Sequence, residues 1–219
     1  MFKTIDVISA SVSAFRLNEG FIKKDQIKFD KKYENKIANS DLLYFHFYGD
    51  KKLSVIEEDT KEAEEIIDYL KGLSFKAIER ELTDFESNVL KLVTADHLPK
   101  DKIGIAASLP KVYQNKVEQD AWTDRENLLS RASKPVGKLH TRETFKNIAV
   151  EFVRYIPRTM SYLVTCSIDD KHILKFFTDK NPKSKSITVT GYVKEQSKGR
   201  YHNGIETIIN RLKVHEDES

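Results

Sequence analysis

The sequence predicts an α+β protein: a mixed, mainly helical N-terminal domain with a β-hairpin, followed by a small five-stranded β-barrel. Three observations support this class. Helical periodicity dominates from residue 59, β-branched and aromatic runs dominate after residue 134, and the Ser-, Pro- and Gly-containing stretch SRASKPVG separates the two regions. We therefore predict two domains, at 1–133 and 134–215, and an acidic tail at 216–219.

Two segments within the first 58 residues predict strands. FKTIDVISASVSAFRL intersperses β-branched and apolar residues, which is typical of one or two strands. In DLLYFHFYGDKKLSVI, Leu43, Phe45 and Phe47 fall on alternate positions, and Gly49-Asp50 punctuates the segment before KLSVI. This segment is therefore predicted to form the β-hairpin of the N-terminal domain.

Two capping boxes predict the starts of helices. Asp59 with Glu62, and Thr83 with Glu86, place a carboxylate three residues after a capping side chain. Apolar residues at spacings of three and four follow each box, so each helix has one core-facing side. A further helix is predicted around Trp122, and the domain is therefore mainly helical from residue 59.

Five β candidates follow the domain boundary, separated by segments that contain Pro, Gly, Asn or Asp. They are FKNIAVEFVRY, SYLVTCSI, HILKFFT, SITVTGYVKE and ETIINRLKV. Five antiparallel strands of these lengths fit a small Greek-key barrel of the OB type. Alternation predicts that Ile187, Val189, Gly191 and Val193 of the fourth strand face inward, and that Ile208, Leu212 and Val214 of the last strand share one face.

Charge is unevenly distributed along the chain. The formal net charge of the 219 residues is +3. From Lys134 to Val214 there are 16 Lys and Arg against 7 Asp and Glu, a local charge of about +9. This asymmetry favours a polyanion as partner of the C-terminal domain. An ordinary lysine-rich, solvated surface is the alternative explanation of the same count.

Cations and aromatic rings coincide on one predicted face and loop of the barrel. A protein that binds single strands without sequence preference needs cations along the backbone track and rings on which bases stack. The candidate binding residues are Lys175, Phe177, Tyr192, Lys194, Lys198, Arg200, Tyr201, His202, Arg211 and Lys213. Structural interpretations compete, since Phe177 and Tyr192 also suit a core and His202 also suits a turn. We predict single-stranded DNA or RNA as the partner, with a protein partner on this surface as the alternative.

The sequence shows no catalytic motif: there is no phosphate loop, no HExxH, no GxSxG and no Cys/His cluster of zinc spacing. The single cysteine, Cys166, lies in an apolar β candidate and is interpreted as a buried thiol. Asp169-Asp170-Lys171 suits either a metal-dependent nuclease site or a tight turn, and the turn explains it with nothing further. We predict a non-catalytic protein with no cofactor and no metal.

The sequence also predicts the compartment of the protein, from the membrane and secretory signals that it does not contain. No apolar run approaches the roughly 18 residues of a membrane span, and the N-terminus lacks the basic-then-apolar order of a secretory signal. A lone cysteine agrees with a reducing compartment. The prediction is a cytoplasmic protein with no membrane partner.

Several segments resemble an uncharacterised family of tailed-bacteriophage proteins. TCSIDDKHILKFFTDK and ITVTGYVKEQSKGRYHNGIETIINRLKV resemble an OB-like segment with a G-(V/Y)-V-K hairpin and an N-R-(L/V)-K-V close. SAFRLNEGFIKK, YLKGLSFKAIERELTDFESNVLKL and IGIAASLP resemble segments of the same family. The resemblance implies a phage-encoded accessory protein in the host cytoplasm, near DNA replication, recombination or transcription. The alternative is a phage adaptor or inhibitor that binds a host enzyme, and a phage or host replication or transcription protein is the corresponding partner.

Overall fold

The structure, a computed structural model, describes residues 1–79, 81–200 and 202–216. It divides into two compact units, Met1–Val117 and Glu118–Ser219. The division falls inside a long helix, Leu109–Ser130, whereas the boundary predicted at 133/134 follows that helix. Whether residues from 134 onward fold alone stays a prediction.

The first unit is helical almost from its start. In chain order its helices are α1 (Thr4–Asn18), α2 (Lys24–Phe29), α3 (Asn39–Tyr48), α4 (Glu57–Lys71), α5 (Leu73–Glu79), α6 (Asp84–Thr94), α7 (Ile103–Ala106) and the first part of α8 (Leu109–Ser130). Two short strands, β1 (Phe2–Lys3) and β2 (His97–Leu98), pair antiparallel. No helix in the described residues is long and apolar enough to cross a membrane.

Helix α1 replaces the strands predicted for the N-terminus, so that prediction is wrong apart from the two residues of β1. Its Val7, Ile8 and Val12 are buried in the core of the unit. Serines between them are accommodated because the Ser11 hydroxyl donates to the Val7 carbonyl at 2.8 Å within the helix. The helix therefore buries a serine-rich sequence that alternation alone assigns to strands.

The hairpin predicted in residues 41–56 is also misplaced, because its first half belongs to α3. Leu43 is fully buried and Phe47 packs against the same core, a spacing of four that suits a helix. A turn back does occur: the Leu53 amide donates to His46 Nδ1 at 2.9 Å. Burial, helped by nearby Lys52, lowers the pKa of His46, which keeps this nitrogen available as an acceptor.

The two predicted capping boxes have different outcomes. The Thr83–Glu86 box is confirmed: Thr83 Oγ1 accepts from the Glu86 amide at 3.2 Å, and a Glu86 carboxylate oxygen accepts from the Thr83 amide at 3.1 Å. The other box begins earlier than predicted, because α4 starts at Glu57 and the Asp59 carboxylate accepts from the Ile56 amide. Asp59 therefore ends the box instead of starting it.

Among the described residues, five strands of the second unit pair in a closed ring. They are β3 (Arg142–Ile156), β4 (Ser161–Ile168), β5 (His172–Thr178), β6 (Ser186–Lys198) and β7 (Ile205–Glu216). The ring order is β3-β4-β5-β7-β6, closed by pairing between β6 and β3. Neighbours are antiparallel except β5 and β7, which are parallel and so differ from the all-antiparallel prediction. Glu216 belongs to β7, and the rest of the predicted acidic tail lies outside the described residues.

The inward face of β6 is confirmed, because Ile187, Val189 and Val193 are fully buried in the barrel core and Gly191 is buried between them. The prediction for β7 is wrong in phase. Ile209, not Ile208, is buried, whereas Leu212 and Val214 do pack on the core. A β-bulge causes the shift: the register with β6 slips between Thr190 and Tyr192, and Arg211 on the bulged strand has φ 52°.

The end of α8 belongs to the barrel unit. Trp122 stacks on Phe152 with ring centroids 4.8 Å apart and planes 11° apart. Arg125 donates to both carboxylate oxygens of Glu151, and Leu129 is buried. Residues 118–130, which the sequence assigned to the N-terminal domain, therefore cover part of the barrel.

Candidate nucleic-acid interface

A groove of about 690 Å³ opens on the barrel between β5, β6 and β7. Its charged and aromatic lining residues are Phe177, Asp179, Lys180, Lys194, Glu195 and Arg211. Three of the sequence-predicted binding residues, Phe177, Lys194 and Arg211, thus come together here from three different strands. The cations exceed the carboxylates in this lining, which favours an anionic ligand.

Phe177 presents an aromatic ring to the groove. Its neighbour Phe176 points inward and is fully buried, because successive side chains of β5 face opposite sides of the sheet. Phe177 is 53% exposed as a result. An exposed ring at the edge of a cationic groove is the arrangement on which a nucleobase stacks in single-strand binders.

The bulge in β7 positions Arg211. Its left-handed backbone angle turns the residue out of the regular alternation, as β-bulges often do beside functional sites. The guanidinium lies 5.7 Å from the centre of the Tyr192 ring, within reach of a cation–π interaction. Another neighbour of this ring is His140, with ring centroids 6.3 Å apart. The Tyr192 ring therefore contacts other side chains of the protein, whereas the Phe177 ring is exposed.

Two predicted binding residues lie elsewhere, in a group that we call the tip cluster: Glu126, Lys175, His202 and Glu206. Lys175 Nζ lies 2.7 Å from a Glu126 oxygen and 2.6 Å from a Glu206 oxygen. The His202 side chain is only 5% exposed, beside the same carboxylates. Neither Lys175 nor His202 lines the groove.

The hairpin tip is packed against the end of α8. The Ser133 hydroxyl donates to the Ile205 carbonyl, and the Ile205 amide donates to the Ser133 carbonyl at 3.3 Å. A Cβ atom on Gly204 would lie 2.3 Å from the Ser130 carbonyl oxygen, so only glycine permits this approach. Lys198 and Arg200 are exposed on the strand and turn leading to the tip, Lys213 is exposed on β7, and Tyr201 lies outside the described residues.

Sequence analysis missed Lys180, Ile208 and Asn210, which also line the groove. Lys180 follows β5 in the DKNPKSK loop, whose composition indicated only a turn. Ile208 was assigned to the core by alternation, and the bulge brings it into the groove. The lysine-rich loop was the one available signal, since a cationic loop next to a binding strand widens the cationic track.

The two features considered for catalysis have structural roles here. Cys166 is buried in the barrel core, and burial raises the pKa of its thiol to about 12. Asp169 and Asp170 form the turn between β4 and β5 with positive φ at both residues. Asp170 also pairs with Arg125 of α8, so this turn helps to hold the helix on the barrel.

Comparison of the chain with protein-family models, with curated proteins and with solved structures finds no significant match.

Proposed function

We propose that this chain is a non-catalytic, single-stranded nucleic-acid-binding accessory protein whose barrel is OB-like. The ring order, the parallel pairing of β5 with β7, and a first strand that pairs with two neighbours through bulges support the OB-like assignment. The groove lined by Phe177, Lys180, Lys194 and Arg211 is the observation that carries the function.

In this proposal the phosphates of a single strand follow the cations and one base stacks on Phe177. Stacking of a base on an aromatic side chain contributes about 1–3 kcal/mol. The cations displace counterions from the phosphates, so affinity falls as salt rises. Neither interaction reads a base edge, and binding is expected to tolerate sequence.

Fluorescence anisotropy of a labelled oligothymidylate and a matched oligouridylate with the full chain tests the proposal. We expect micromolar binding at 50 mM salt that weakens steeply by 200 mM, because several phosphates are neutralised. A duplex of the same length, with its stiff paired backbone and hidden bases, should bind more weakly. No detectable binding of either single strand at 50 mM salt would contradict the proposal.

A second function, docking on a protein, is favoured by one observation in the first unit. Phe75 and Ile78 stand three residues apart on α5, on neighbouring turns, and are 73% and 83% exposed. Adjacent exposed apolar side chains are typical of surfaces that bind a partner. A phage adaptor or inhibitor acting on a host enzyme in the cytoplasm would use such a surface.

Affinity capture from a nuclease-treated lysate separates the two functions. A protein partner held through α5 survives nuclease treatment and is lost from a Phe75→Ser, Ile78→Ser double variant. Proteins recovered only through a shared nucleic acid disappear on nuclease treatment and are insensitive to that variant.

A further inference from the structure

The tip cluster brings metal-ligating groups from distant parts of the chain into one place. Glu126 comes from α8, His202 from the hairpin tip and Glu206 from β7. One ligand atom from each lies within 4.8 Å of the other two. Imidazole nitrogen and carboxylate oxygen are the ligands of many zinc sites.

The distances within the cluster suit ligands of one ion. His202 Nε2 lies 2.9 Å from a Glu206 oxygen and 3.7 Å from a Glu126 oxygen. Two ligands bound at about 2.1 Å stand about 3.0–3.7 Å apart for bond angles from about 90° to about 125°. The His202 separations therefore fit coordination with little rearrangement.

His202 supplies the second observation. Its side chain is 5% exposed, and within the described part of the chain neither buried ring nitrogen makes a hydrogen bond of regular geometry, although Nε2 lies 2.9 Å from a Glu206 oxygen. Burying a polar group without a hydrogen bond costs free energy, so the position of this imidazole needs an explanation. The imidazole is fixed there by close packing, since a Cβ on Gly199 would lie 2.2 Å from the ring.

Lys175 already places one positive charge in this cluster. Its ammonium group contacts both carboxylates and neutralises one of their two charges. A divalent ion would neutralise both carboxylate charges and would also accept the lone pair of the imidazole nitrogen. An ammonium group has no vacant orbital and cannot accept that lone pair. A cavity of about 510 Å³ lies beside the cluster and is lined by Ser130, Ser133 and His202.

We propose that Glu126, His202 and Glu206 form a binding site for a divalent transition-metal ion of the zinc class, which displaces the Lys175 ammonium group. The ion joins α8 to the β6–β7 hairpin. The metal site is independent of the groove, because none of the three metal ligands lines the groove.

The test begins with the full chain treated with chelator and then titrated with Zn²⁺ by calorimetry and with Co²⁺ by absorption. We expect one equivalent to bind, a visible d–d absorption band for Co²⁺, and a rise in melting temperature that grows with metal concentration. Glu126→Gln should weaken Zn²⁺ binding at least about tenfold, since it removes one charged ligand. His215→Gln, an exposed histidine outside the cluster, is the matched control and should bind as the wild type does.

Lys175→Met distinguishes a metal site from a purely ionic cluster. If Lys175 competes with the ion, its removal tightens Zn²⁺ binding at least about tenfold. If the cluster is only an ion-pair network, Lys175→Met lowers stability and gives no metal response. The proposal is overturned if no Zn²⁺ or Co²⁺ binds, or if Glu126→Gln binds metal as tightly as the wild type.

Discussion

We call the region of the groove the groove end and the region of the tip cluster the tip end. These two regions hold similar basic side chains in opposite states. At the groove end, Lys194 and Arg211 are exposed to solvent. At the tip end, Lys175 is 17% exposed and His202 is 5% exposed, each against the carboxylates of the tip cluster. A short stretch of the barrel therefore separates the exposed cations Lys194 and Arg211 from Lys175, whose ammonium group is paired with carboxylates inside the protein.

This difference changes the interpretation of the local positive charge of residues 134–214. The local charge of about +9 counts Lys175 equally with Lys194. A lysine held within 2.7 Å of two carboxylates contributes little to the long-range field, because its charge is already balanced. The attraction of a polyanion must come from exposed cations, and the groove end has them.

The largest effect is expected when the end of α8 beside the tip cluster is removed and the groove residues are kept. A fragment of residues 134–219 lacks Trp122, Arg125 and Leu129, all of which pack on or pair with the barrel. Its free energy of unfolding should be lower than that of fragment 118–219 by about 4 kcal/mol or more, from lost apolar burial and ion pairs. Urea unfolding followed by circular dichroism measures both. Equal stabilities would show that the end of α8 is not part of the barrel unit.

The second effect comes from a substitution in the groove that lowers single-strand affinity. Phe177→Ala should weaken single-strand binding by about 1–3 kcal/mol, a loss of up to about 100-fold, because one base loses its stacking platform. The melting temperature should change little, since the ring is 53% exposed. Tyr155→Ala removes an exposed aromatic residue from the same barrel outside the groove and is the matched control. If both variants bind equally, Phe177 is not a contact.

Much of the barrel could be predicted from sequence, because β6 has strict apolar alternation that only a half-buried strand explains. The phase of β7 could not, since its bulge is centred on Arg211, and no glycine marks the left-handed position. Helix α3 was missed because nearly all of its central residues are large and apolar, so that periods of two and of four fit equally well. Tertiary burial of Leu43 decides between them.

The candidate site was predictable in part for a related reason. Phe177, Lys194 and Arg211 are close because adjacent strands bring them together, and strand pairing is a short step from the sequence. The pairing of Lys175 with Glu126 depends on where α8 lies against the barrel, which no local pattern encodes. Long-range packing therefore separates the groove cations from the tip cluster.

The third effect concerns the salt dependence of single-strand binding at the groove. Arg211→Ala should lower the magnitude of the slope of log K against log salt by about 0.7, the counterion release for one single-strand phosphate. Phe177→Ala should leave this slope unchanged, because an aromatic ring neutralises no phosphate. Anisotropy titrations at several salt concentrations supply the slopes, with Arg158→Ala as an exposed arginine outside the groove. An unchanged slope for Arg211→Ala would place its guanidinium away from the phosphates.

The smallest effect tests whether the pairing beside the tip end is structural. Hydrogen bonds from Arg125 hold the pKa of Glu151 below its usual value, although burial opposes them. A carboxyl whose pKa is lowered by folding stabilises the fold above its unfolded pKa of about 4.3, and this contribution is lost as pH falls through the folded pKa. Glu151→Gln should therefore be less stable at pH 7, by up to about 1 kcal/mol, and should lose less stability between pH 6 and pH 3.

Fluorescence of Trp122, the only tryptophan in the chain, can follow this difference, because the residue stacks on the barrel and reports its unfolding. Glu195→Gln, which changes an exposed carboxylate on the same barrel, should keep the acid dependence of the wild type. Asp170 shares the Arg125 guanidinium with Glu151, so the difference between the two pH profiles reports on the group of Arg125, Glu151 and Asp170. Parallel profiles would mean that the Arg125–Glu151 pair adds nothing to the free energy of folding. The contrast between exposed cations at the groove and paired charges inside the protein would then rest on the tip cluster alone.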